Sequence, residues 1–264
     1  PLPLGEGRGE GVNTERSNSG LVLGWWLALI LLGPLLWAQG RWARWRTPRL
    51  PALATPLAGT TGEGETTLHL LVLGESPAAG VGVASREESL PARLAAELAR
   101  RQGIRVAWSS VAENGANLRC VIDTQLPQLA STTPDLVLVV LGVNDTTGLT
   151  QRSHWRSQLA ELIAGLRARS DCPILFTSVP RMDSFTALPQ PLRSALGLRG
   201  RLLDKDLHQV AAVHEGVSHA SALPRLGPQQ LAADGYHPSA IACLDWAVQL
   251  ADCLPPLPDR ARPC

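Results

Sequence analysis

From residue 67 onward, short apolar runs alternate with segments whose apolar residues recur every three or four positions. The run HLLVL at 69–73 stops at Gly74, as a buried strand ends at a turn. Ser85-x-x-Glu88 has the form of a capping box, and Leu90, Leu94 and Leu98 after it share one helical face. Residues 104–111 predict a second strand, and a helix is expected around 118–129. The run LVLVVL between Asp135 and Gly142 is apolar at every position. It therefore belongs to a strand covered on both faces, in the interior of a sheet. Trp155, Leu159, Leu162, Ile163 and Leu166 mark the next helix, and 174–179 the next strand. A helical stretch over 191–214 should bend or break near Gly197 and Gly200. A weak strand near Val217 and a helix over 239–252 close the pattern. Strand–helix alternation of this kind predicts an α/β fold, a parallel sheet with helices on both faces.

The N-terminal part reads differently. Residues 21–37, LVLGWWLALILLGPLLW, contain no charge, and at about 1.5 Å per residue they reach the short end of a membrane span. Trp25, Trp26, Trp37, Trp42 and Trp45 flank the segment, as in an interfacial aromatic belt, and Arg41, Arg44, Arg46 and Arg49 follow at once. A cleaved signal peptide fits less well, because Arg16 is offset by Glu15 and no positive leading region results. The expected organisation is a disordered tail at 1–20, a single-pass transmembrane anchor at 21–40 and a Pro/Gly/Thr-rich linker at 41–66. A catalytic-sized domain at 67–254 and a tail at 255–264 complete it. Only Arg8 and Arg16 precede the apolar segment, so the charge bias places the domain on the cytoplasmic face.

Composition narrows the class. With 45% apolar and 18% charged residues among 264, the chain is not mainly disordered. A net charge of +1 argues against a dedicated nucleic-acid binder, which needs a basic face. The five cysteines, Cys120, Cys172, Cys243, Cys253 and Cys264, form no C-x-x-C pair and no zinc-finger spacing. They read as buried, inert thiols, with a single bridge left open.

Four segments carry candidate chemistry, three of them directly after expected strands, where ligand sites of open parallel sheets lie. Gly74-Glu75-Ser76-Pro77 puts a serine at a turn after the first strand. Its hydroxyl needs a neighbouring base to become a nucleophile. Asn114-Gly115-Ala116-Asn117 offers a glycine that can present a bare N–H. Gly142-Val143-Asn144-Asp145 offers an asparagine amide able to donate to a developing oxyanion. Asp234-Gly235-Tyr236-His237-Pro238-Ser239 brings a carboxylate and an imidazole three residues apart across a glycine turn. That contact would fix the tautomer and leave the second ring nitrogen as a base. Taken singly, each segment also fits an ordinary turn or cap. His69, His154, His208, His214 and His219 show no such spacing to a carboxylate and read as structural or surface residues. Gly80-Val81-Gly82 lacks the spacing and the lysine of a phosphate-binding loop.

The order and placement of these four segments, over about residues 68–252, resemble the SGNH hydrolases, also called the GDSL esterase/lipase family. The resemblance implies a flavodoxin-like three-layer sandwich and a serine esterase that uses no metal or cofactor. Carried over, Ser76 is the nucleophile, His237 its base and Asp234 the residue that orients the base. The N–H groups of Ser76 and Gly115 and the Asn144 amide form the implied oxyanion hole. Two positions depart from the family pattern, Glu75 where an aspartate is usual and Pro77 where a leucine is usual.

The expected activity is hydrolysis of a small or lipid-like acyl ester, such as a lysophospholipid or short-chain ester, through an acyl-enzyme. A carbohydrate O-acetyl esterase is the alternative among enzymes. The few aromatics of the expected soluble part, Trp108, Trp155, Phe176, Phe185, Tyr236 and Trp246, tilt toward acyl chains over sugar platforms. The alternative of another class is an inactive, membrane-anchored binding protein, against which intact Ser76, Asn144, Asp234 and His237 speak.

Overall fold

Strand β2, Thr67–Gly74, lies at the centre of the molecule. It pairs in parallel with β3, Arg105–Ala112, on one side and with β4, Leu136–Val140, on the other. Strands β5, Ile174–Phe176, and β6, Val217–His219, extend the parallel sheet beyond β4. Strand β1, Leu57–Thr61, pairs antiparallel with β3, so the order is β1-β3-β2-β4-β5-β6. The computed structural model describes residues 12–129, 133–220 and 227–254. Most of the expected N-terminal tail and the expected C-terminal tail, with Cys264, lie outside the described residues.

The two-residue period of the strands divides the core. Leu70, Val72, Leu136, Leu138 and Val140 face helices α2, Leu90–Gln102, and α7, Ala240–Asp252. Leu71, Leu73, Val137 and Val139 face α5, Arg152–Arg167, and α6, Leu192–Ala212, together with a short helical run that starts at α3, Leu118–Cys120. All five residues of β4 are buried, as an uninterrupted apolar run requires. The expected α/β sandwich with a mostly parallel sheet is present.

Several elements differ from expectation. Ser85 caps only a 3₁₀ turn, Arg86–Glu88, and makes no side-chain cap bond. The Glu88 carboxylate instead accepts the Ala84 N–H at 3.1 Å, and α2 is capped by Ser89, with Pro91 in its first turn. Helix α6 runs unbroken through Gly197 and Gly200. Gly197 serves close packing: a Cβ there would lie 2.8 Å from the Asp183 Cβ. Strand β5 is only three residues long, because the chain leaves the sheet at Thr177. Within the stretch read as linker, Leu57–Thr61 supplies the edge strand β1.

The N-terminal segment changes most. Helix α1 spans Val12–Arg46, starting inside the expected tail and running past the expected end of the anchor. Among the described residues no helix is long and apolar enough to cross a membrane, so the expected transmembrane helix is not shown. The second half of α1 lies on the domain. Leu36 and Ala43, seven positions apart and therefore on one face, are buried against Met182, Phe185, Leu188, Leu192 and Leu196. Gln39, between them, donates to the Gln190 carbonyl at 2.7 Å and accepts the Leu192 N–H at 3.0 Å.

Candidate active site

Each of the four sequence segments lies at a turn that backbone geometry dictates. Gly74 closes β2 at φ +136°, and a Cβ there would stand 1.9 Å from the Val140 carbonyl oxygen, so only glycine fits. The buried Gln125 amide holds this strand end, accepting the Gly74 N–H at 2.9 Å and donating to the Gly74 carbonyl at 2.8 Å. Ser76 follows in a tight turn in which its carbonyl accepts the N–H groups of Ala79 and Val81. The residue is buried. Gly82 of the same stretch packs against the His237 loop, where a Cβ would lie 3.0 Å from the His237 Cβ. The chain after Ser76 and the loop bearing His237 are thus in contact.

A small hairpin holds His237. Leu231 bridges Pro238, the His237 carbonyl accepts the Ala232 N–H at 2.8 Å, and Gly235 makes the turn at φ +65°. Asp234 Oδ1 accepts the N–H groups of Tyr236 and His237, both at 3.0 Å, and Oδ2 lies 2.5 Å from His237 Nδ1. A carboxylate can only accept, so Nδ1 carries the proton and Nε2 is left as the basic nitrogen. Burial alone would raise the Asp234 carboxyl. The His237 ring and the two backbone N–H groups outweigh it and hold the acid below its ordinary range. Tyr236 meets Phe185 edge to face at 5.0 Å.

Asn144 sits at the start of the short helix α4, Val143–Thr147, just after Gly142 at φ +121°. Its amide Nδ2 donates to Glu75 Oε2 at 2.7 Å and to the Ala116 carbonyl at 3.1 Å. Gly115, at φ +89°, is exposed, and a Cβ on it would meet nothing within 4 Å. The neighbouring Asp145 is buried and accepts the Leu118 N–H at 2.9 Å and the Thr150 hydroxyl at 2.8 Å. Hydrogen bonds through residues 144 and 145 therefore fasten the Asn114–Asn117 segment and the Glu75–Ser76 segment to one strand end. Ser76, Gly115, Asp234 and His237 lie on turns and Asn144 in the short helix α4; Asn144 bonds Glu75 and Ala116, and Gly82 packs on the His237 loop.

The structure also brings together a Ser–His–Asp trio that the spacing did not reveal. His219 Nε2 lies 2.9 Å from Asp204 Oδ1 and 3.4 Å from Ser178 Oγ, so His219 does have a carboxylate partner. Asp204 on α6 and His219 on β6 meet only through the fold, and no local motif signals the contact. The trio lacks relay geometry, because one ring nitrogen faces both partners and the Ser178 hydroxyl donates to the Ala220 carbonyl. Asp204 Oδ1 also accepts the Val179 N–H at 2.8 Å, so the cluster ties the ends of β5 and β6 to α6. Among the described residues no group of three or more His, Cys, Asp or Glu side chains could hold a metal ion.

An imidazole bonded to a buried carboxylate thus lies on a loop of a mostly parallel α/β sandwich. Residues 72–242 match the GDSL-like lipase/acylhydrolase family, and the chain belongs to that family. The GDSL-like esterase Rv1075c of Mycobacterium tuberculosis (strain ATCC 25618 / H37Rv) is 33% identical over a 189-residue alignment, which covers 66% of this chain and 58% of that protein. The chain thus matches less than two thirds of that relative's length. Among solved structures, TesA is 21% identical with a TM-score of 0.56, covering 71% of this chain and 98% of its own. An SGNH hydrolase from Slackia heliotrinireducens is 22% identical with a TM-score of 0.53, covering 71% and 99%. Both share the fold.

Proposed function

We propose that the chain is a carboxylic ester hydrolase in which Ser76 attacks the acyl carbonyl and forms an acyl-enzyme. His237 takes the serine proton through Nε2 and returns it to the departing alcohol, while Asp234 keeps the ring in the required tautomer. The N–H groups of Ser76 and Gly115 and the Asn144 amide receive the charge on the carbonyl oxygen. Water then attacks the acyl-enzyme with His237 again as base, releasing the acid. The observation that carries this proposal is the 2.5 Å contact of His237 Nδ1 with a buried Asp234 on a loop packed against the turn after Ser76. The substrate class proposed is a small or lipid-like acyl ester.

Attachment to a membrane through α1, with the domain on the cytoplasmic face, belongs to the same proposal. Leu23, Trp26, Ile30, Trp37, Trp42 and Trp45 of that helix are exposed. The Arg41 guanidinium stands 5.3 Å over the Trp37 ring and that of Arg46 5.2 Å over Trp42, a mixture of aromatic and cationic groups suited to a lipid surface. Alkaline phosphatase fused after Cys264 should be inactive in intact cells, and activity there would reverse the orientation.

The test of the chemistry is Ser76→Ala, assayed on p-nitrophenyl esters of graded acyl length. Turnover should vanish while the circular dichroism spectrum stays that of the folded protein. Hydrolysis surviving in the purified, folded variant would remove Ser76 from the reaction.

A further inference from the structure

Glu75 is the residue before the proposed nucleophile, and it is buried, 1% exposed. Its carboxylate meets only donors. Oε1 accepts the Val143 N–H at 3.0 Å, and Oε2 accepts the Asn144 N–H at 3.1 Å and the Asn144 amide at 2.7 Å. The backbone of Glu75 is fixed as well, its N–H donating to the Val140 carbonyl at 3.0 Å. One buried carboxylate thus sets both the main chain and the side chain of the residue after Val143.

The two protons on Asn144 Nδ2 are not equivalent. One is held by a charged acceptor at 2.7 Å, and the other reaches the neutral Ala116 carbonyl at 3.1 Å. Hydrogen bonds to ionised groups are roughly twice as strong as neutral ones, so the first is fixed and the second is exchangeable. An oxyanion competes well against a neutral carbonyl for that second proton. Ala116 follows Gly115 and Ser76 follows Glu75, so the single network Glu75–Asn144–Ala116 runs beside all three proposed oxyanion donors.

We infer that Glu75 is a positioning residue for the oxyanion hole: its carboxylate locks Asn144 so that one amide proton faces the ester, and it does so only while ionised. The inference rests on the proposed esterase chemistry. A carboxylate accepts all three N–H groups, whereas a protonated carboxyl would turn an O–H donor toward other donors and release at least one of them. Burial pushes the Glu75 carboxyl up to about 7, with the Val143 and Asn144 N–H groups opposing and the Asp145 charge adding to the rise. The groups facing it are Asp145 on α4 and Tyr236, whose phenol is pushed up first by burial and then by the charges of Glu75 and Asp234. Ionisation of Glu75 therefore falls close to neutrality, and general-base catalysis separately needs an unprotonated imidazole nitrogen.

The experiment uses the full chain with p-nitrophenyl butyrate, measuring kcat and KM from pH 5 to 9 for the wild type, Glu75→Gln and Glu75→Asp. Two groups must be unprotonated in the wild type, so the acid limb of log kcat/KM should be steeper than one and approach two. In Glu75→Gln the limb should fall to a slope of one. Its kcat at pH 8 should drop by about 10–100-fold with KM within about twofold, the pattern of a misplaced transition-state donor. Glu75→Asp keeps the acceptor set and should recover kcat to within about tenfold of the wild type, with the steep limb restored. A wild-type slope of one, or a folded Glu75→Gln with wild-type kcat, would overturn the inference. If Glu75→Gln does not fold, the wild-type limb and Glu75→Asp still decide it. An inert Ser76→Ala combined with a wild-type slope of one would remove Glu75 alone, whereas an active Ser76→Ala would remove the esterase site itself.

Discussion

His237 Nδ1 lies 2.5 Å from Asp234 Oδ2, and the second Asp234 oxygen accepts the backbone N–H groups of Tyr236 and His237. The carboxylate therefore shapes its own loop as well as the imidazole. Both tasks need the ionised acid, and its lowered pKa is consistent with that. Asp234→Asn puts an amide donor or a weaker acceptor against Nδ1 and favours the tautomer that leaves Nε2 protonated. Ester hydrolysis should fall by about 10³–10⁴ in kcat. Parallel measurement of Tm identifies the cause, since a loss of activity explained wholly by unfolding would contradict the orienting role.

The same shift sets a pH dependence of stability. Asp234 has a lower pKa in the folded chain than its ordinary value of 3.8, so its stabilisation is complete above the unfolded value. It is lost as the pH falls through the folded value. Wild-type Tm should therefore drop more steeply than that of Asp234→Asn as the pH is lowered below about 4. Parallel curves for the two proteins would show that Asp234 has no such shift.

Asn144→Ala should lower kcat by roughly 10²–10³, the usual loss for one oxyanion donor, with little change in KM. The variant also leaves the Glu75 carboxylate short of its closest donor. A defect confined to KM in steady-state kinetics would mark Asn144 as a substrate-binding residue instead.

Gly74→Ala tests the strand end that carries the Ser76 turn. At φ +136°, with a Cβ 1.9 Å from the Val140 oxygen, no small shift accommodates the methyl group. Strain and overpacking together should cost more than about 3 kcal/mol, read as a lower urea midpoint. A wild-type midpoint would mean that β2 and β4 do not close as described.

Leu36→Ala removes a buried contact between α1 and the domain and should cost about 2 kcal/mol of that docking. The segment 48–56 between α1 and β1 should then be cleaved faster in limited proteolysis. Cleavage at the wild-type rate would show that α1 is held by other contacts.

What could be read from the sequence follows from where the information is local. The β4 run is apolar at every position and can only be an interior strand, and the Asp234-x-x-His237 pair is close in sequence and close in space. Ser76 and Gly115 are legible as turns after strands, whereas Asn144 falls in the short helix α4 just after its strand. Long-range partners were not: Gln125 on Gly74, Asp204 on His219 and Asp145 on Leu118 are joined by the fold with no spacing to announce them. Helix α6 shows why composition misleads, since Gly197 relieves a close contact with Asp183 and both Gly197 and Gly200 leave the helix intact. For α1, uniform hydrophobicity pointed to lipid, but the one-face spacing of Leu36, Gln39 and Ala43 was the better guide to where that half packs.

The central claim is that Ser76, with His237 behind it, is the reactive serine, and a fluorophosphonate probe tests it directly. The probe forms a stable covalent bond only with a serine whose proton is taken by a correctly placed base. Intact mass and peptide mapping should show one adduct per chain, on Ser76, lost in His237→Ala. An adduct on Ser178, which lies 3.4 Å from His219, would move the chemistry to the Ser178–His219–Asp204 cluster, and a fully folded chain that takes no adduct would contradict an active serine hydrolase.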